Sequence, residues 1–199
     1  MSRARILLIL GATVPALLAG AIGLTHPMRL TPDTAGYWRD MHIVLLFVFP
    51  LMGLAPWLVA RAVDRRLGWL GAFFGYGFAT LYTALDVLAG IGGGALVAAG
   101  EPDATSPIFR IANLLATAGV WSLVAGTLVA GVAAFIRSRL ASIPGTLLAV
   151  VGAYLIAEGH VFFPLGTVAM LLLAGGYAIL AVVVSRPRAI VGQPADASS

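Results

Sequence analysis

Five side chains in this sequence have the types to do chemistry at one depth of a membrane: His26, His42, His160, Asp86 and Glu158. Imidazole nitrogens combined with carboxylate oxygens suit zinc and other borderline divalent ions, and the same groups can activate a water or pass a proton. Met28 and Met41 stand beside His26 and His42, and imidazole with thioether brings in copper as a second candidate metal. Haem is a third cofactor to weigh, and it requires His42 and His160 to face each other across a bundle. No two histidines are three or four residues apart and there is no HExxH, so no single helix offers a ready-made site. A lone interfacial histidine is ordinarily a hydrogen-bonded structural residue; the case for a site rests on three of them sharing a level with two acids.

Two spacings tie the acids to phenols. Tyr82 precedes Asp86 by four residues and Tyr154 precedes Glu158 by four, so each hydroxyl lies on the helix face of its acid and can donate to it or extend a proton path. The competing reading places both pairs at the membrane interface, with the tyrosines in an aromatic belt. Asp86 is the stronger candidate because apolar residues continue on both sides of it, and an acid at membrane depth is expensive unless it is paired or hydrated.

The elements that must position these groups are membrane helices. With 60% hydrophobic and 10% charged residues, the 199-residue chain is far from a soluble domain. Stretches at about 6–24, 41–60, 67–98, 111–136, 143–161 and 163–184 each supply the roughly 20 apolar residues that cross a bilayer. The expected fold class is all-α: a polytopic transmembrane bundle of about six helices, forming one domain over 1–188, with a short polar tail at 189–199. The first stretch could also be read as a signal peptide with Ala19-Gly20-Ala21 as cleavage site, but its apolar run is long for that role.

Arginine placement orients the bundle. Nine of the twelve arginines flank one set of helix ends against Asp64 and Asp196, a balance of +7, while Arg29, Arg39 and Arg110 face six acids at the other ends, a balance of −3. The positive-inside rule then puts both termini in the cytoplasm and the histidines on the outer side of a plasma membrane. The basic charge is therefore topogenic, and the expected partner is the lipid bilayer and no nucleic acid. Absence of Cys removes disulfides, thiolate metal sites and a cysteine nucleophile. Lys is absent too, and with abundant Ala and Gly this points to a GC-rich, bacterial source.

Along an ideal helix Asp86 lies about 28 Å beyond Leu67 and Glu158 about 22 Å beyond Ile143, which puts both in the outer leaflet. Packing is expected through small residues: Gly71 and Gly75 as a GxxxG pair extended by Gly77, and Gly119, Gly126, Ala130 and Ala133 in the fourth stretch. Pro15, Pro50 and Pro56 should kink their helices. The 32-residue third stretch is too long for one straight crossing, and Gly90-Ile91-Gly92-Gly93-Gly94 is where it is expected to break into an interfacial or re-entrant turn.

The leading functional expectation is a metal or cofactor site on the outer side. The alternative is a non-catalytic subunit or scaffold that docks a membrane-protein partner through its outer loops, with Tyr37-Trp38 as a headgroup anchor. A metal-dependent hydrolase at the headgroup level would use the same cluster to activate water. A small-solute transporter would need a polar path through the inner half, where Thr80, Thr83, Asn113, Ser122 and Thr127 are the available groups.

Overall fold

A computed structural model of the chain describes residues 2–186; the tail expected at 189–199 lies outside the described residues. All regular structure among them is helical. The principal elements are α1 (Arg3–Gly23), α2 (Ala35–Met52), α3 (Leu54–Arg61), α4 (Arg65–Leu85), α5 (Gly93–Ala98), α6 (Thr105–Ser138), α7 (Ile143–Gly159) and α8 (Leu165–Val184). Five segments are long and apolar enough to cross a membrane: Arg3–Gly23, Ala35–Arg61, Arg65–Ala98, Pro102–Gly159 and Leu165–Val184.

The 58-residue segment is not one rod. A straight helix of that length would run about 87 Å. It turns at Arg139, where φ is +50°, and in the short helical turn Arg139–Ser142. α7 then runs back along α6, so that Thr146 sits against Gly131 and the Tyr154 ring lies 6.0 Å from Trp121. The second segment is interrupted between α2 and α3 at Gly53. Pro50, three residues earlier, has no N–H to continue the ladder.

Large apolar side chains fall on both the outside and the inside of the bundle. Phe47, Phe73, Tyr76 and Leu114 point outward and are each more than two-thirds exposed, while Phe49, Phe78, Leu123 and Tyr177 are fully enclosed. Helices that cross a bilayer associate by close approach and not by exclusion of apolar groups from water. Gly71 meets the Pro56 carbonyl and Gly75 the backbone of Gly53, so the expected GxxxG pair is the α3–α4 seam. A second seam was not anticipated: Gly145, Gly152 and Gly159, seven residues apart on α7, meet the backbone or side chains of α8 around Ile179, Leu173 and Gly166.

The expected break at Gly90–Gly94 does not occur. The helix continues through a π-helical stretch, Asp86–Gly92, into α5 and ends at Gly100, whose φ is +82°. A widened turn absorbs the irregularity while keeping the backbone hydrogen-bonded, as a membrane-crossing helix requires. The glycines serve α2: a β-carbon at Gly90 would overlap the His42 ring, and one at Gly94 would come within 2.9 Å of Arg39 and 3.0 Å of the Ala35 carbonyl.

Neighbouring helices run antiparallel, so the two ends of the described chain and the described arginine clusters gather at one end of the bundle, where Arg137 donates to the Arg186 carbonyl at 2.7 Å. The opposite end carries the α1–α2 and α7–α8 loops, and Gly23 packs on the Val161 carbonyl there.

Candidate metal centre

That opposite end assembles the histidines. α1 finishes in a tight turn, His26 N–H donating to Gly23 at 3.2 Å, which drops His26 into the loop. His42 stands two turns into α2. His160 is the C-cap of α7, at φ +44°. Helices commonly stop on a left-handed glycine at this point. Holding an imidazole there costs on the order of 1–3 kcal/mol, and such strain clusters at functional sites.

Each ring offers a nitrogen, and the three nitrogens lie within 4.8 Å of one another. A tetrahedral ion with Zn–N bonds of about 2.0–2.1 Å would place its ligand nitrogens about 3.3 Å apart, so modest side-chain movement closes the set. Each Nδ1 already has a partner: the Pro27 carbonyl at 2.8 Å for His26, the Trp38 carbonyl at 2.7 Å for His42, and the Tyr82 hydroxyl at 2.6 Å for His160. Fixing one ring nitrogen in this way presents the other, Nε2, to a metal. His26 Nε2 is buried and has no hydrogen-bond partner. Burial holds the His26 imidazole down to about 4, against the Pro27 hydrogen bond that raises it, with His42 lowering it further, so the ring is neutral and able to ligate at ordinary pH.

Asp86 is fully buried, at 0% exposure, and neither carboxylate oxygen has a hydrogen-bond partner. Its Oδ1 lies 3.9 Å from His42 Nε2, too far for a hydrogen bond, and outside the circle of three nitrogens. An ionised carboxylate in such surroundings needs a counter-charge. A cation held by the imidazoles would supply it.

The remaining sequence candidates fall elsewhere. Glu158 is exposed and contributes nothing to the cluster. Tyr154 is 45% exposed and packs near Trp121. Tyr82 does not serve Asp86 as its spacing suggested; its hydroxyl crosses to His160. Met28 is 67% exposed and Met41 is in the apolar core, so the thioether set for copper is not assembled.

No family model, curated protein or solved structure matches this chain.

Beside the triad lies a cavity of about 330 Å³, walled by Trp38, Leu85, Phe109, Val120, Ile156 and Phe162, with His42, Tyr82 and His160 also on its surface. Trp38, expected as a headgroup anchor, is buried; its indole lies stacked at 5.3 Å from His42, and its Nε1 donates to the Ala89 carbonyl at 3.2 Å. Tyr37 alone stays at the surface, donating to Thr25 at 2.6 Å. Of the groups weighed for a polar path, Thr80 and Ser122 bond to backbone carbonyls and Thr127 to Tyr177, and Asn113 alone lines the cavity. Neither Trp38 nor Phe162 carried a local sequence signal for its place at the site.

Proposed function

We propose that this chain is a six-crossing plasma-membrane protein, with both termini cytoplasmic, that binds one divalent transition-metal ion in the outer half of its bundle. The ligands are His26, His42 and His160, and Asp86 balances the charge from beside His42. One observation carries this reading: three imidazoles from three separate elements converge with every Nδ1 occupied, next to a buried carboxylate that has no partner. A merely structural histidine cluster gains nothing from an orphaned carboxylate, whose burial is costly.

The reversal of α6 into α7 supports the count of six crossings, and the arginine-rich helix ends support this orientation. Imidazoles with a nearby carboxylate favour zinc or a similar borderline ion. Haem is less well supported. The rings of His42 and His160 are nearly parallel with centroids 6.0 Å apart, but His26 stands 5.2 Å and 6.0 Å from them, where a macrocycle between the two would lie. Three protein ligands, two of which (His42 and His160) also face a cavity, fit the pattern of a site with an open position, as in metal enzymes, whereas structural zinc sites are closed by a fourth ligand.

The test is elemental analysis and an absorption spectrum of the full chain, purified without chelator, beside His26→Ala and His42→Ala. About one metal per chain in the wild type, lost in both variants, supports the reading. Absence of metal from the wild type even after dialysis against zinc overturns it and leaves the scaffold alternative.

A further inference from the structure

We propose that the cavity beside the triad is the binding site of an anionic amphiphile resident in the membrane, which enters sideways from the bilayer along α6. This names a substrate class for the proposed metal site, and only the position of the ligand relative to the metal rests on that reading.

The cavity has a mouth. It shares Phe109, Asn113 and Thr117 with an open groove that adds Ser106, Arg110 and Leu114. Those positions fall three, four, seven, eight and eleven residues after Ser106, so they form one face of α6. The face points outward: Leu114 is 69% exposed, and Ser106, Arg110, Asn113 and Thr117 are exposed with it. Polar residues on a membrane helix ordinarily face the bundle interior or a water-filled cavity. Here a polar stripe runs down the outside of an apolar helix and leads into a chamber.

The chemistry at the two ends of this route differs. Arg110 and the Asn113 amide have no hydrogen-bond or ion-pair partner among the described residues, and the Thr117 hydroxyl donates back to the Asn113 carbonyl at 2.8 Å. Arg110 is thus an uncommitted cation at the mouth, suited to a carboxylate or phosphate. Beyond it the walls are aromatic and aliphatic: Leu85, Phe109, Ala116, Val120, Ile156 and Phe162. An acid head at Arg110 and Asn113 with an apolar body in the cavity satisfies both ends, and places that body against His42 and His160. A small hydrophilic anion would satisfy only the mouth.

The experiment uses the full chain in nanodiscs of zwitterionic phosphatidylcholine, titrated with cis-parinaric acid, a fluorescent fatty acid, and with its methyl ester. Energy transfer from tryptophan reports binding, since Trp38 lines the cavity. The expected result is saturable binding of one acid per chain. Arg110→Gln should weaken the acid roughly tenfold, the loss of a charge-assisted contact, and leave the ester unchanged. Ala116→Phe should abolish binding of both by filling the cavity, and Ala116→Leu serves if the larger side chain prevents folding. His26→Ala touches the triad and not the cavity wall, so it should lose metal and still bind the acid; the metal reading and this one can therefore fail separately. Non-saturable partition equal in every variant, or displacement of the acid by millimolar phosphate or acetate, would overturn the proposal.

Discussion

The Tyr82 hydroxyl and His160 Nδ1 lie 2.6 Å apart, joining residues 78 positions apart in the chain. The phenol is fully buried between the rings of Phe49 and Phe78, so its direction is set by packing before any metal arrives. It orients an imidazole that is already strained at the end of α7. Removing the hydroxyl alone, in Tyr82→Phe, should lower metal affinity by about 10–100-fold, the usual effect of losing a group that orients a ligand. Competition with a calibrated chelator reads this directly. Unchanged affinity would mean that His160 is not a ligand.

The close approach of α2 to the π-helical stretch gives a second expectation. Gly90→Ala puts a methyl group where the His42 ring stands, so it should cost about 1–3 kcal/mol of stability and most of the bound metal. Gly36→Ala and Gly175→Ala, whose added carbons meet nothing within 4 Å, are the controls and should be neutral or slightly stabilising. Thermal unfolding followed by metal content separates the cases.

Asp86 should behave oppositely in the two forms of the protein. Without metal its carboxylate is buried and unpartnered, so Asp86→Asn should leave the melting temperature unchanged or raise it. With zinc added, the wild type should gain stability by mass action and the variant should gain much less. Equal zinc-induced shifts would remove Asp86 from the site.

Glu158 supplies the contrast. Like Asp86 it is an acid four residues after a tyrosine and is expected in the same leaflet, yet it is exposed and outside the cluster. Glu158→Gln should leave metal content unchanged and shift stability by no more than about 0.5 kcal/mol, as for an ordinary surface substitution. Loss of metal in this variant would mean that the α7–α8 loop adopts another arrangement when loaded.

The pairs Tyr82–Asp86 and Tyr154–Glu158 mark the boundary of what spacing alone conveys. Four residues along a helix place two side chains on one face, but nothing local says whether that face looks into the bundle. α4 turns its pair inward because Gly71 and Gly75, on the same face nearer its start, pack on the backbone of Gly53 and Pro56, and α6 closes over it at Gly119. α7 turns Gly145, Gly152 and Gly159 toward α8, which leaves Tyr154 and Glu158 outside. The glycine run at 90–94 was equally ambiguous. Glycine permits a break or a close approach, and the neighbouring α2 made it the latter.

From the residues alone came the apolar helices long enough to cross a membrane, the gathering of arginines at one set of ends and of histidines at the other, and the Gly71–Gly75 packing face. These depend on composition and on distance along a helix, which accumulates at a fixed rise per residue. Which groups of equal depth meet was decided by tertiary structure: three histidines and Asp86 inside, Glu158 and Met28 outside, Tyr82 on His160, Trp38 in the cavity wall. Depth is one coordinate, read by counting residues; convergence needs the rotation of each helix about its axis, and that is set by backbone contacts between residues far apart in the chain.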